Sequence, residues 1–533
     1  MIESSPVRPS PFGPFRHRIF TLIWLATIVS NIGGWMSSAA SAWLMTGLDS
    51  KPLIVALVQV ASSLPLFLFA IPAGALSDIV DRRKFLLVGE SSIMLISVLF
   101  AWLVSRGLIG PVNLLLLTFA ASTASAATAP AWQAVVTRLV PRADLPAAVA
   151  LNSTGINISR ALGPALGGVL ISLYGIAVPF WIDAFSNAGV IACLWWWRLA
   201  PTTSRLPPEH FTGAIRTGLR HARNNRHLRS TLMRAAGFLL FASAYWALLP
   251  LVARERIVGS AALYGVLLGA IGCGAVFGAL SLPRIRAQLG ADRLLNLAAI
   301  GTAAATVLFA LAREPWVAVC ASLLAGLCWI GALSSLNVSA QVALPEWVRG
   351  RGLAVFVTVQ FGSLSLGSLL WGALAGRIGV AQTLLLAALG VLLGVPITRR
   401  WKLQTGAEYD FTPSLHWPPP ITTHAIDADR GPVLVTVEYQ IDPAKRAAFL
   451  KVLSQRAHER RRDGAYDWHV FEDPARDGRM IETFLTDSWI EHQRLHERVT
   501  KADRAHEQEL QRFQLSGSPI TTHLIDALSA PDK

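Results

Sequence analysis

Two ionisable side chains lie deep within apolar stretches of this 533-residue chain. Arg160 and Asp183 each fall near the middle of a run that is long enough to cross a bilayer, about 20 Å deep at 1.5 Å per helical residue. A charge at that depth costs at least about 2.5–3.5 kcal/mol on insertion scales, so such residues mark a binding site or an ion pathway. The partner of Arg160 could be Asp183, a carbonyl group freed near Pro164, an anionic ligand, or water in a crevice.

Weaker candidates share these apolar runs. Glu90 lies near the end of one run, where its carboxylate could also reach the membrane surface. Several uncharged polar residues could line a cavity, although hydrogen bonding between helices explains each of them at least as well. These residues are Asn31, Gln133, Asn157, Asn337 and Gln341, together with Gln59, Asn152 and Gln360.

The sequence predicts no metal site, no catalytic residue and no cofactor. His492 and His496 are one helical turn apart and could share a metal ion, but no third ligand is evident. All four cysteines fall inside apolar runs, without the spacing of metal ligands. They are Cys193, Cys273, Cys320 and Cys328.

The composition indicates a chain that crosses a membrane many times. Hydrophobic residues make up 53% and charged residues 15%, which excludes a disordered chain, a disulfide scaffold and a collagen-like fibre. Twelve runs are long enough to span a bilayer as helices. They are Ile19–Leu44, Leu53–Leu76, Phe85–Val104, Pro111–Val136, Ala147–Tyr174, Ile176–Trp197, Thr231–Ala253, Ala261–Leu282, Leu294–Ala312, Trp316–Val342, Leu353–Ala375 and Ile378–Ile397.

The distribution of charge predicts the orientation of these spans. Residues 1–404 carry a net charge of +19, whereas residues 405–533 carry −5. Lys and Arg are concentrated in alternate loops, and such loops face the cytoplasm. Both termini are therefore predicted to be cytoplasmic. A nucleic-acid partner is excluded, because the part of the chain that reads as soluble is slightly acidic.

An internal repeat relates the two halves of the apolar region. At an offset of 204 residues, the string 74–77 (Gly-Ala-Leu-Ser) recurs at 278–281. The same offset aligns Gly33 with Gly237, Gly163 with Gly367, and several other glycine, proline and arginine residues. Two groups of six spans that run the same way form the parallel repeat found in one class of secondary transporter.

Two motifs narrow the class of protein. The first, between spans two and three, contains Gly74, Asp78 and Arg82 followed by further basic residues. It resembles the loop signature of the major facilitator superfamily, in which the aspartate belongs to a charge network that holds the two halves together on the cytoplasmic side. Ile79 and Asp81 depart from the usual arginine and glycine of that signature.

The second motif lies in span five. Gly155, Ser159, Gly163 and Gly167 recur every four residues and so line one helix face, which permits close helix packing. The string of Gly163, Pro164, Gly167 and Gly168 resembles the exporter signature of the same superfamily. Stretches at 133–152 and 211–220 are similar to the branch that contains the enterobactin exporter and the transmembrane secretion effectors.

The last hundred residues read as a soluble domain. Strand patterns at Val433–Tyr439, Tyr466–Phe471, Met480–Thr486 and Ile520–Ile525 alternate with helices at Pro443–Arg462 and Ile490–Gln511. The order βαββαβ predicts a ferredoxin-like fold. Trp489 followed by His496 resembles the dimeric α+β barrels of the antibiotic-biosynthesis monooxygenase type, a resemblance that implies homodimerisation and leaves open an enzymatic tail.

The sequence thus predicts an all-α membrane protein of twelve transmembrane helices in two parallel six-helix repeats, followed by an α+β ferredoxin-like cytoplasmic domain. The resemblance implies a proton-coupled exporter of a siderophore or drug-like compound in the inner membrane, and not an enzyme. The rival interpretation is a membrane-anchored enzyme or sensor whose monooxygenase-like tail carries the activity. The predicted segments are 1–18 (cytoplasmic), 19–198 (first bundle), 199–230 (basic loop), 231–403 (second bundle), 404–430 (Pro-rich linker) and 431–533 (soluble domain).

Overall fold

The computed structural model describes residues 12–136, 139–197, 211–345, 347–404, 414, 417, 422 and 426–527. The chain divides into two compact units. The membrane unit comprises Met1–Pro208, Leu232–Asn337 and Phe356–Trp401, and the tail unit comprises Glu209–Thr231, Val338–Val355 and Lys402–Lys533. Most of the predicted linker 404–430 lies outside the described residues.

Among the described residues, eleven helices are long and apolar enough to cross a membrane. The N-terminal group consists of α1 (Arg18–Leu48), α2 (Pro52–Ile79), α3 (Arg82–Ser105), α4 (Pro111–Val136), α5 (Leu145–Tyr174) and α6 (Val178–Trp196). Helix α7 (Phe211–Asn224) follows, and the C-terminal group consists of α8 (Arg226–Leu251), α9 (Ala261–Leu311), α10 (Pro315–Val342), α11 (Arg349–Ile378) and α12 (Val380–Thr398). Several of these helices begin with proline. Its lack of an N–H costs nothing there, because the N–H groups of the first helical turn have no hydrogen-bond partner within the helix.

Helix α9 contains two of the predicted spans, which explains why the structure has eleven such helices where the sequence predicts twelve spans. Its 51 residues are two helical segments joined at a kink, and each segment is long enough for a bilayer core of about 30 Å at 1.5 Å per residue. The two predicted spans are separated by a kink at Gly290, whose φ of 75° lies in the left-handed region. Glycine tolerates that conformation because it has no Cβ.

Close helix packing within each group follows the internal repeat. A Cβ on Gly163 would lie 2.9 Å from the carbonyl oxygen of Ile32 in α1. In the C-terminal group, a Cβ on Gly367 of α11 would collide with the carbonyl oxygen of Leu240 in α8. The repeat therefore relates the packing of α5 on α1 to the packing of α11 on α8.

The two groups meet through small residues at one end of the bundle. We call this the distal end, where α1 ends and α2 begins. A Cβ on Gly168 of α5 would lie 2.8 Å from the Cα of Gly265 in α9. The pseudo-symmetric contact joins Gly372 of α11 to α2, where a Cβ would lie 3.2 Å from the Cα of Leu53. Both contacts bring backbones together, as small residues allow in membrane helices.

The tail contains a four-stranded antiparallel sheet covered on one face by helices. The strands are β1 (Val433–Gln440), β2 (Tyr466–Glu472), β3 (Arg479–Thr486) and β4 (Ile520–Ile525), in the order β2-β3-β1-β4. The helices are α13 (Arg446–Asp463), α14 (Trp489–Arg498) and α15 (Lys501–Gln511). Alternate residues of β1 and β3 are buried, and Val435, Phe449 and Phe484 lie in their shared core.

One predicted helix of the tail is wrong. The segment Ile490–Gln511 is two helices, because the chain is extended at Val499 and Thr500. Thr500 and Asp503 form a capping box that begins α15, and such a box satisfies the first free N–H groups of a new helix.

Within the tail unit, α7 and the link between α10 and α11 contact the tail domain. The guanidinium of Arg498 in α14 lies 4.4 Å from the ring centre of Trp347 in that link. His221 of α7 packs edge-on against the same indole at 5.5 Å, and Arg220 donates a hydrogen bond to the carbonyl oxygen of Gly464. Aromatic and cationic contacts therefore join three separate segments of the chain.

Candidate functional site

A cavity of about 70 Å³ lies between the N-terminal and C-terminal groups of the membrane unit. Helices α1, α2 and α5 contribute its lining from one group, and α8 and α9 contribute from the other. Trp35, Trp246 and Tyr264 supply aromatic surface, whereas Gln59 and Arg160 supply hydrogen-bonding groups. An apolar wall with a few polar groups is the usual character of a small-molecule site.

Arg160 projects into this cavity from the middle of α5. Its guanidinium lies 5.1 Å from the ring centre of Trp35, close enough for a cation–π interaction. Its Nε is buried without a hydrogen-bond partner among the described residues. Pro164, one turn along α5, also lines the cavity. The cation therefore faces the space that a ligand would occupy.

Asp183 is held elsewhere, in the packing between α3 and α6. Its Oδ2 accepts a hydrogen bond of 2.8 Å from the hydroxyl of Ser97, and the amide of Asn187 lies 3.5 Å from Oδ1. Within the described residues, no ion pair links Asp183 to Arg160. Of the four alternatives for Arg160, the pairing with Asp183 is therefore not the one observed.

Glu90 is also buried inside the N-terminal group. The indole N–H of Trp132 donates a hydrogen bond of 2.7 Å to Glu90 Oε1, and Glu90 is only 6% exposed. The carboxylate is therefore buried among the helices of this group.

The structure places only some of the uncharged candidate residues at the cavity. Asn157 and Asn337 each donate an amide hydrogen bond of 2.9 Å to a carbonyl oxygen of their own helix. Neither residue lines the cavity, and the same holds for Asn31, Gln133 and Gln341. Gln59 does line it. The set of cavity residues was thus only partly predictable from polarity.

The signature residues of α5 take two roles in packing. Gly163 and Gly167 face α1, where a Cβ on Gly167 would lie 3.3 Å from the Cα of Met36. Gly168 faces α9 of the other group. One short motif therefore packs α5 both within its own group and across the interface.

The loop signature is less fully described. Gly74 lies within α2 and Arg82 begins α3. The side chain of Asp78 lies outside the described residues. A Cβ on Gly74 would meet no described heavy atom within 4 Å.

A cluster that we call the distal closure seals the two groups together beside the cavity. The ring of Trp43 in α1 stacks on Tyr264 of α9 at 5.8 Å. Arg254, just after α8, donates a hydrogen bond of 2.9 Å to the hydroxyl of Thr46 and lies 5.7 Å from the centre of the Trp43 ring. The closure thus consists of Trp43, Thr46, Arg254 and Tyr264.

Comparison with known proteins identifies the family. The sequence model described as "Transmembrane secretion effector" matches residues 9–530, nearly the whole chain. The chain belongs to the transmembrane secretion effector family. This family lies within the major facilitator superfamily, so the chain is a multi-pass membrane transporter and not an enzyme.

Curated relatives of this secretion effector carry the names of exporters and transporters. The staphyloferrin A transporter of Staphylococcus aureus is 24% identical over 66% of this chain and 88% of its own length. The enterobactin exporter EntS of Shigella flexneri is 26% identical over 71% and 90%. The multidrug efflux pump Tap of Mycobacterium tuberculosis is 25% identical over 73% and 96%. These names support export of a small molecule.

Solved transporter structures share the fold. A POT family transporter in complex with a thioalcohol-conjugated peptide superposes with a TM-score of 0.60 at 11% identity, covering 72% of this chain and 96% of that one. At this identity the likeness concerns architecture alone. It supports the arrangement of the membrane helices and does not indicate which ligand this secretion effector binds.

Arg254 should control how tightly the distal closure of this secretion effector seals. We expect Arg254→Ala to raise several-fold the rate at which a cysteine placed at Ser38, in the cavity lining, reacts with a membrane-impermeant thiol reagent. The reason is that the substitution removes both a hydrogen bond and a cation–π contact, each worth about 1 kcal/mol. The four native cysteines are first replaced by alanine.

Arg106→Ala provides the matched control, since Arg106 is an exposed arginine just after α3. It should leave the labelling rate unchanged. Equal labelling of the Arg254→Ala variant and the control would show that Arg254 does not hold the closure.

Sequence reasoning missed a charged cluster in the C-terminal group. Arg234 is 3% exposed and its guanidinium lies 3.1 Å from Asp292 Oδ1, with Asn296 as a second acceptor. The signal was available, because Arg234 lies inside the predicted span Thr231–Ala253. All three residues belong to α8 or α9, so the cluster ties helices within one group and does not contribute to the cavity.

A second missed feature is in the tail. His523 of β4 lies beside His492 and His496 of α14, and the three offer ligand nitrogens within 4.8 Å of one another. Burial, followed by repulsion from His523 and His496, lowers the pKa of His492 to about 3. The His492 ring is therefore neutral at physiological pH.

Proposed function

We propose that this chain is a secondary active exporter that moves a siderophore or drug-like compound out of the cell by alternating access. The observation that carries the proposal is the cavity between the two helix groups, with the Arg160 guanidinium facing its interior over Trp35. A cation in an aromatic pocket suits an anionic or strongly polar aromatic compound. The names of the relatives favour the same class of substrate.

Alternating access requires the cavity to change size. A site for a drug-sized ligand measures about 300–1,000 Å³, whereas this cavity measures about 70 Å³. The two groups must therefore move apart before such a compound can enter. The distal closure and the Gly168–Gly265 contact are the natural places for that separation, because they join the groups directly.

The finer architecture belongs to the same proposal. We propose twelve crossings, with α9 passing through the membrane twice around Gly290. The tail is proposed to be a ferredoxin-like domain, since the strand order β2-β3-β1-β4 with two helical crossovers is the arrangement of that fold. Exposed Phe471, Ile520 and Leu524 on its edge strands support self-association of the tail.

The proposed function is tested by deletion of the gene. The deleted strain should lose a secreted small molecule, detected by mass spectrometry of the medium, or should become sensitive to a drug in a panel. Restoring the wild-type gene should reverse the change, and restoring the Arg160→Gln variant should not. If the secreted compounds and the drug sensitivities are unaltered, the chain is not the exporter proposed here.

Asp183 is the proposed coupling residue for protons. Its carboxylate is buried and accepts hydrogen bonds from the hydroxyl of Ser97 and the amide of Asn187, so it can exchange a proton without breaking an ion pair. We expect Asp183→Asn to lower the rate of efflux driven by a proton gradient at least tenfold. Substrate binding should be retained. Proteoliposomes with an imposed pH gradient measure the first, and equilibrium binding measures the second. Wild-type efflux in the variant would remove Asp183 from the coupling path.

The predicted orientation is tested with fusions. Alkaline phosphatase, which is active only outside the cytoplasm, should be silent when fused after Lys402, because Lys and Arg are concentrated in the loops on that side. A fusion after Lys51, between α1 and α2, should be active. Strong activity of the Lys402 fusion would contradict both the orientation and the count of twelve crossings.

A further inference from the structure

Three histidines converge in the tail domain from separate parts of the sequence. His492 and His496 lie one turn apart on α14, which places them on the same helix face. His523 lies on the edge strand β4. The ring centres of His492 and His523 are 4.6 Å apart, and those of His492 and His496 are 4.9 Å apart.

The register of the sheet explains why His523 faces the helix. His523 is the antiparallel partner of Val435 on β1, and directly opposed residues point to the same face of a sheet. Val435 is 2% exposed and belongs to the core beneath the helices. His523 is therefore on the helix-covered face of β4, where it meets α14.

The side chain of His492 is buried without hydrogen-bond partners for its ring nitrogens in the described part of the chain. It is 1% exposed, and neither of its ring nitrogens has a hydrogen-bond partner among the described residues. Buried polar groups without partners are rare in folded proteins. A histidine that served only as core packing could be replaced by an apolar ring at no loss of hydrogen bonding. A bound metal ion would give one of the two ring nitrogens a partner.

We propose that His492, His496 and His523 bind a divalent late first-row transition metal ion, of which Zn²⁺ is the representative. Three imidazoles are the protein ligands of one well-known class of zinc site, which leaves a fourth position for water or an anion. Imidazole also suits Cu²⁺ and Ni²⁺, while it is a poor ligand set for Mg²⁺ or Ca²⁺.

The geometry requires only small movements to close on an ion. A Zn–N distance of about 2.0–2.1 Å places tetrahedral ligand nitrogens about 3.4 Å apart, and here all three lie within 4.8 Å. Side-chain rotation of His496 and His523, which are both partly exposed, is sufficient. Metal binding would tie α14 directly to the edge strand β4. In the sequence these two elements are separated by α15.

The test uses the full-length protein in detergent, purified with an affinity tag that contains no histidine and stripped with EDTA. Isothermal titration with Zn²⁺ should give one site per chain, and titration with Co²⁺ should give the visible bands of a tetrahedral complex. His523→Ala should weaken Zn²⁺ binding at least tenfold and remove the Co²⁺ bands. His523→Phe, which keeps the ring volume, should do the same while retaining the melting temperature of the EDTA-stripped wild type.

His469→Ala is the matched control, because His469 is an exposed histidine on β2 of the same domain. It should bind Zn²⁺ like the wild type. The proposal is overturned if the wild type shows no site at micromolar Zn²⁺, or if His523→Ala and His469→Ala bind it equally. A preference for Cu²⁺ or Ni²⁺ over Zn²⁺, lost in His523→Ala, would still support a three-histidine site.

Discussion

Replacing Arg160 with glutamine should lower export at least tenfold at equal expression, with the protein still folded. The guanidinium lies over Trp35 in the cavity, and no ion pair to Asp183 is lost. A hydrogen bond to a charged group contributes about 1.5–3 kcal/mol, which corresponds to about 10–150-fold in affinity. The loss should appear as weaker substrate binding, measured by efflux from loaded cells over a range of substrate concentrations.

Two further variants make this result specific. Arg160→Lys keeps the charge but loses the planar group that stacks on an indole, so it should give intermediate export. Arg313→Gln removes an exposed arginine between α9 and α10 and should export normally. If Arg160→Gln exported its full range of compounds, the arginine would be structural, facing water in a crevice.

Gly168→Val should disrupt the interface between the two helix groups. A Cβ at this position would lie 2.7 Å from the carbonyl oxygen of Ala261 and 2.8 Å from the Cα of Gly265. Both contacts are with backbone, so α5 and α9 must move apart. Overpacking of this kind costs about 1–3 kcal/mol. We expect a melting temperature several degrees lower and a severe loss of export.

Gly189→Val is the appropriate comparison for that experiment. Gly189 lies inside α6, where an added Cβ meets no described heavy atom within 4 Å, and valine carries the same intrinsic helix cost at both positions. Thermal unfolding in detergent and efflux at matched expression measure the difference. Equal behaviour of the two variants would mean that close contact of α5 with α9 is dispensable for transport.

The sequence predicted those features that depend on local patterns. Apolar runs placed the membrane helices, and a short strand pattern placed β4 at the observed residues Ile520–Ile525. The break between α14 and α15 could also have been found, since Thr500 and Asp503 have the spacing of a capping box. The short connection between the two halves of α9 could not be predicted. A loop was expected between the two spans, but only Gly290 departs from helical geometry there.

The partners of the functional residues could not be predicted, because they are set by tertiary packing. Arg160 and Trp35 are 125 positions apart in the chain, and nothing local in either sequence indicates the other. Depth in the membrane suggested Asp183 instead, but depth does not say which face of a helix a residue occupies. His523 was missed for a related reason, since its distance from α14 depends on the pairing of β4 with β1.

The buried contacts of α7 imply that the tail domain cannot be cut from the rest of its unit at a single point in the sequence. His221 is fully buried in the tail unit, and Asn225 beside it is 3% exposed. A chimaera that joined only residues 405–533 to another protein would separate Arg498 and Gly464 from Trp347 and Arg220, their partners in this chain. A transplant that also carried 209–231 and 338–355 would preserve those contacts, so the transferable module is discontinuous in sequence.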